Sequence, residues 1–185
     1  MKLIVIRNTE APSNVKYIVG GRCEEGLTTK GIEQAEELRE QLRKYNYDVM
    51  ISSPVNRAYQ TAEIVNYKKI PIIIDERITE RNPGKMLLKD RNLVNKSKWN
   101  SLEELVTDEG AETLLALINR TESLIKELKE KYNEKTVVIV THNSISRAIW
   151  MINNNKEING NANNSIEEIN AYYHNSNTIQ IYENY

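Results

Sequence analysis

Short β-branched runs recur along this chain, and most of them hand over to a segment with helical spacing. "KLIVI" (2–6) and "KTVVIVT" (135–141) are apolar without interruption at their centres, the mark of strands buried on both faces of a sheet. "DVMISS" (48–53) is a third strand. "IPIIID" (70–75) is a fourth, placed near a sheet edge by Pro71, which has no N–H to give to a ladder. Between them, "TTKGIEQAEELREQLRKYN" sets Ile32, Ala35, Leu38 and Leu42 on one helical face, with Thr28 or Thr29 as N-cap. Pro54 opens a second helix that carries Arg57 in its first turn and Ala58, Ala62 and Ile64 beyond it. From Thr113 to Lys131 the spacing of Leu114, Leu117, Thr121, Leu124 and Leu128 predicts a long amphipathic helix, and "SISRAIWMI" another. This alternation predicts an α/β layer fold around a mainly parallel sheet.

The 185 residues suit one domain, 1–185, with a core of its own; no repeat and no linker interrupts it. Residues 81 to 109 are polar and irregular, with Pro83, Gly84 and a short "SLEEL" turn, and read as a lid or specificity insert. The Asn-rich stretch 153–164 reads as a solvated loop leading into "SIEEI" and "NTIQIYE", which are expected to pair as a closing hairpin.

Charged residues make up 28% of the chain and the net charge is -1, so no broad basic face is expected for nucleic acid or a membrane. Any anion site must be local. Cys23 is the one cysteine, which excludes an internal disulfide and fits a reducing, cytoplasmic setting. With only His142 and His174 beside it, no structural zinc site is expected, and no cofactor. The apolar run before Arg7 is too short for a signal peptide or a membrane span. Neither a Walker-type glycine loop nor a Gly-x-Gly-x-x-Gly is present, which sets aside P-loop nucleotide chemistry.

Ligands of open α/β sheets bind beyond the carboxyl ends of the strands. Three polar groups stand there: Arg7 after "KLIVI", Arg57 just after "DVMISSP", and His142 after "TVVIVT". Each alone has an ordinary explanation as a solvated or packed side chain. Together, two guanidiniums and an imidazole could grip a phosphate through charge-assisted bonds.

The segments carrying these residues resemble the histidine phosphatase superfamily, also called the phosphoglycerate mutase-like proteins, over nearly the whole chain. "IRNTEAPSN" is similar to the family's opening Arg-His-Gly-Glu-Thr followed by Asn. "GRCEEGLTTKGIEQA" resembles its Gly-x-x-Asp-x-Pro-Leu-Thr-x-x-Gly-x-x-Gln-Ala, with Gly26 in place of the proline. "ISSPVNRAYQTAEIV" resembles its Ser-Ser-Pro-x-x-Arg-Ala-x-Gln-Thr-Ala, the most specific of the matches. "DERITERNPGK", "GAET" and "VVIVTHNSISRAI" resemble, in order, its Asp-x-x-Leu-x-Glu, Gly-Glu-Ser and Ser-His-Gly-Gly-x-x-Arg segments.

The resemblance implies a three-layer α/β/α, phosphoglycerate mutase-like fold and a two-step phosphoryl transfer through a phosphohistidine, without a metal. Carried over, Arg7, Arg57 and His142 would bind the transferring phosphoryl group and Asn14 would add a hydrogen bond. Glu80 matches the acid that protonates the leaving oxygen and later activates water. The implied partner is a small phosphorylated metabolite or inorganic phosphate.

The chain departs from the pattern at the reacting position itself. Asn8 stands where the family has its nucleophilic histidine. An amide nitrogen lends its lone pair to the carbonyl, so it donates hydrogen bonds but scarcely attacks phosphorus. The chain as written is therefore expected to be nearly inert, with its pocket kept. Thr9 replaces the usual glycine, and Asn143 and Ser144 replace the glycines after the second histidine, where they could donate to phosphate or cap a helix. Asn8 is either an engineered substitution that stops turnover or a natural loss in a phospho-ligand binding protein. The retention of Glu80 and His142 favours the former. A mutase is the other enzymatic reading, although family mutases carry larger inserts.

Overall fold

The computed structural model describes residues 1–94, 99, 110–154 and 178–183. The "SLEEL" turn, most of the Asn-rich stretch, "SIEEI" and His174 lie outside the described residues.

The apolar runs form a five-stranded sheet in the order β3-β2-β4-β1-β5. Its strands are β1 (Lys2–Arg7), β2 (Val49–Ser52), β3 (Ile72–Ile74), β4 (Thr136–Thr141) and β5 (Ile179–Tyr182). β1, β4, β2 and β3 run parallel, and β5 closes the β1 edge antiparallel, Leu3 facing Tyr182. The expected hairpin partner of β5 lies outside the described residues. Pro71 marks an edge strand as expected: Ile73 and Ile74 on β3 are exposed.

Alternate residues of each inner strand face opposite helical layers, the period-two rule for strands. Leu3, Val5, Val137 and Ile139 pack against α4 (Leu114–Lys131) and α5 (Asn143–Asn153). Ile4, Ile6, Val138 and Val140 pack against α2 (Thr29–Leu42) and α3 (Asn56–Val65). A short turn of helix, α1 (Pro12–Val15), sits in the loop after β1. Each fully buried aliphatic side chain contributes roughly 1.5–3 kcal/mol. This is the expected α/β/α layering.

Thr28 caps α2 by accepting from the Gly31 N–H, and Thr113 caps α4 in the same way from Ala116. One expectation fails: Ile32 is 45% exposed. The buried stripe of α2 runs through Gly31, Ala35, Leu38 and Leu42 instead. A methyl group at Gly31 would overlap the Glu10 carbonyl oxygen, so the helix approaches the loop after β1 on a glycine face and turns Ile32 outward. Ile64 is half-buried.

Candidate active site

Three strand ends meet because β4 lies between β1 and β2. Asn8 N–H extends the β1 ladder by donating to the Thr141 carbonyl at 2.7 Å, and Ser53 N–H extends β2 by donating to Val140 at 3.0 Å. Asn8, His142 and Ser53 therefore stand in a row. His142 Nδ1 lies 3.1 Å from Asn8 Oδ1, and its Nε2 lies 2.8 Å from Ser53 Oγ.

The hydrogen bonds assign the protons along this row. Asn8 Nδ2 donates to the Thr9 carbonyl at 2.9 Å. The reversed amide would set two carbonyl oxygens against each other, so Oδ1 faces the imidazole. Oδ1 can only accept; His142 thus carries its proton on Nδ1, and Nε2 accepts from the Ser53 hydroxyl. Ser53 Oγ in turn accepts from the Val55 N–H at 3.3 Å. His142 is fully buried, and that burial pushes its pKa well below the usual histidine value, with Arg57 and then Arg7 adding to the effect.

A cavity of about 260 Å³ opens in front of this row. Arg7, Asn8, Asn14, Arg57, Glu80 and Asn143 all line it. His142 is not among the lining residues; it stands fully buried, with both ring nitrogens engaged by protein.

Asn14 is oriented by its own loop. Its Oδ1 accepts from the Ala11 N–H at 2.9 Å, which leaves the amide donors for the cavity. Arg57, 5% exposed, reaches back to the Gly21 carbonyl at 2.6 Å and pairs with Glu25 at 3.5 Å. Glu25 also accepts from the N–H and hydroxyl of Ser13, so one carboxylate ties the loop after β1 to α3. Asn143 and Ser144 lie in the first turn of α5, whose N-terminal dipole adds positive potential at the cavity wall. The Oδ1 of Asn143 is enclosed and has no hydrogen-bond partner among the described residues.

Thr9 fits where the resemblance led us to expect glycine. It is fully buried, and its N–H donates to Thr61 Oγ1 at 3.3 Å. Thr61 spends its own proton on the Arg57 carbonyl at 2.7 Å, so the Thr9 hydroxyl is the donor in the 3.4 Å contact between the two threonines. The loop bearing Asn8 is thereby bonded to the helix bearing Arg57.

Glu80 is held from behind. Its carbonyl accepts from Arg22 Nε at 2.8 Å, and its Oε1 accepts from the Arg81 N–H at 2.8 Å. The flanking backbone is fixed by Arg120, which donates to the carbonyls of Arg77 and Thr79. Glu112 anchors Arg120 through bonds of 2.6 and 3.0 Å and also reaches Arg22 and the Asn82 N–H. Burial alone would raise the Glu112 pKa; Arg120, the Asn82 N–H and Arg22 together reverse this and hold it below the usual carboxylate value.

The cavity is also lined by residues that sequence reasoning did not assign: Tyr17, Arg81, Arg91 and Trp99. Backbone bonds from Leu88 to Val19 and from Arg91 to Tyr17 pin residues 88–91 to the loop after β1. The only sequence signal was position, an arginine next to Glu80. Among the described residues no group of three or more His, Cys, Asp or Glu side chains could hold a metal ion, and no helix is long and apolar enough to cross a membrane.

Comparison with known proteins agrees with this architecture. The chain is 30% identical over 157 residues to phosphoserine phosphatase 1 of Hydrogenobacter thermophilus, covering 81% of this chain and 74% of that protein. It is 28% identical to the adenosylcobalamin/alpha-ribazole phosphatase of Escherichia coli, covering 78% and 73% of the two chains. A mutant phosphoserine phosphatase from Entamoeba histolytica, solved in complex with phosphoserine, superimposes with a TM-score of 0.82 at 21% identity, over 97% of this chain and 89% of that one. The model of the histidine phosphatase superfamily (branch 1) matches residues 3–179. The chain belongs to the histidine phosphatase superfamily.

Proposed function

We propose that this fold is a phosphomonoesterase of the phosphohistidine type, acting on a small phosphorylated metabolite, and that Asn8 stops turnover while leaving the phosphate site intact. One observation carries the reading: Arg7, Asn14 and Arg57 converge with Glu80 on the cavity that Asn8 faces. Two guanidiniums and the Asn14 amide match the three oxygens of a phosphoryl group, and Asn8 keeps one amide hydrogen beyond the one given to Thr9.

In the Asn8→His protein the chemistry closes without a metal. A ring nitrogen of the new imidazole attacks phosphorus, the P–O bond to the substrate breaks, and the Glu80 carboxyl passes its proton to the departing oxygen. Water then attacks phosphorus and gives its proton to the Glu80 carboxylate; the P–N bond breaks and inorganic phosphate leaves. His142 acts through the residue at position 8, holding it with the Nδ1 proton.

A second reading is a binding protein that never turns over. Asn8 fits the row so closely, accepting from His142 and donating to Thr9, that the site is complete with asparagine in place. Mixing the Asn8→His protein with a phosphomonoester and measuring intact mass separates the two. An acid-labile gain of one phosphoryl group, absent in the unsubstituted chain, supports the enzyme; no phosphorylation in either protein supports the binder.

A further inference from the structure

Glu80 is aimed by its own main chain. Its Oε1 accepts from the Arg81 N–H at 2.8 Å, so Oε2 is the oxygen left to carry a proton. Where residues 80 and 81 stand therefore decides where that proton stands. The stretch is held from two sides. On the α4 side, Arg120 donates to the Thr79 carbonyl at 2.6 Å, and Glu112 accepts from the Asn82 N–H at 3.2 Å. On the other side, Arg22 Nε donates to the carbonyl of Glu80 itself at 2.8 Å.

Arg22 belongs to the loop after β1, and its backbone is fixed by an arginine of the phosphate site. Arg57 donates to the Gly21 carbonyl at 2.6 Å and to the Cys23 carbonyl at 3.4 Å, one on each side of Arg22. Gly21 has a φ of +48°, and a Cβ there would stand 2.6 Å from the Pro83 ring, so the same loop also abuts the segment after Glu80. A continuous series of bonds thus runs from the Arg57 guanidinium, through residues 21 to 23 and the Arg22 side chain, to the main chain of Glu80. The Arg22 charge is met separately, by Glu112 at 3.3 Å from Nη2. The Arg22 side chain is 44% exposed, so core packing does not account for its place. Arg22 is also not among the residues that line the cavity.

Resting on the phosphatase reading above, we infer that Arg22 is a positioning residue, which sets the Glu80 carboxyl against the leaving oxygen of a phosphoryl group held by Arg57. It acts through the Glu80 main chain and meets no reacting atom. Its planar fork serves two partners at once, the Glu80 carbonyl through Nε and the Glu112 carboxylate through Nη2. Misplacing a reacting group by about 1 Å costs on the order of a hundredfold in rate.

The test compares glycerol 3-phosphate with para-nitrophenyl phosphate in the Asn8→His background. The quantity is kcat/KM, which covers only the steps through release of the alcohol or phenol. Arg22→Gln should lower it at least about tenfold for the alkyl ester and less than about threefold for the aryl ester, whose leaving group needs little protonation. Arg22→Lys keeps one donor for the Glu80 carbonyl and should recover part of the alkyl loss. Calorimetry on the chain with Asn8 in place should show inorganic phosphate binding unchanged by Arg22→Gln, and thermal melts establish that the variants are folded. An equal loss for both esters, no loss for either, or weakened phosphate binding overturns the inference. Each of those outcomes leaves the phosphatase reading standing, because Asn8→His alone still turns over. Absence of turnover in Asn8→His itself removes that reading and this inference with it.

Discussion

His142 presents its Nδ1 proton to the Oδ1 of Asn8 at 3.1 Å, and this bond couples the ends of β4 and β1 through their side chains. The imidazole is enclosed and neutral in the folded chain. Unfolded, it takes up a proton near pH 6.5. Below that value the unfolded chain binds a proton that the folded one refuses, so stability falls as pH falls. The expected slope approaches about 1.4 kcal/mol per pH unit below about 6.5 and vanishes above about 7. Urea unfolding of the parent and of His142→Gln across pH 5 to 8 should show the slope only in the parent; parallel curves would mean that His142 titrates freely.

Arg57→Ala should weaken phosphate or vanadate binding by roughly 1.5–3 kcal/mol, the scale of a hydrogen bond to a charged group. Calorimetry on the unsubstituted chain and the variant reads this directly. Unchanged affinity would move the anion elsewhere in the cavity.

Glu112→Gln should loosen the Glu80 loop, because it weakens the bonds to Arg120 and Arg22 together. The expected cost is about 1.5–3 kcal/mol of folding stability, read from denaturant midpoints. Loss of less than about 0.5 kcal/mol, the scale of an ordinary surface change, would show that the cluster is no more than a solvated surface pairing.

In the Asn8→His background, Glu80→Gln should slow alkyl phosphates by about a hundredfold or more, since their leaving oxygen needs the proton. Aryl phosphates should suffer less in the first step, and phosphoenzyme should then accumulate because no base remains to activate water. Equal slowing of both classes without phosphoenzyme would assign the acid to another residue.

The strands, the helices and the strand-end groups were legible because each rests on a local pattern. "KLIVI" and "TVVIVT" announce buried strands, and Arg7 and His142 follow them in the chain. Ile32 misled because Gly31 has no side chain to mark the buried face, and a close backbone approach leaves no trace in an apolar periodicity. Arg81, Arg91 and Trp99 were unreadable for a different reason. They reach the cavity through long-range bonds of an irregular insert, such as Arg91 N–H to Tyr17, which no spacing rule encodes. Ser53 was visible within "ISSP", but its bond to His142 depends on β4 lying between β1 and β2.

The hydrolysis rate of a generic aryl phosphate before and after Asn8→His tests whether position 8 is the nucleophile position of an otherwise intact phosphatase site. If it is, the unsubstituted chain hydrolyses the ester negligibly and the variant gains at least about a thousandfold, equivalent to roughly 4 kcal/mol of barrier. Comparable, robust rates from the two proteins would contradict it.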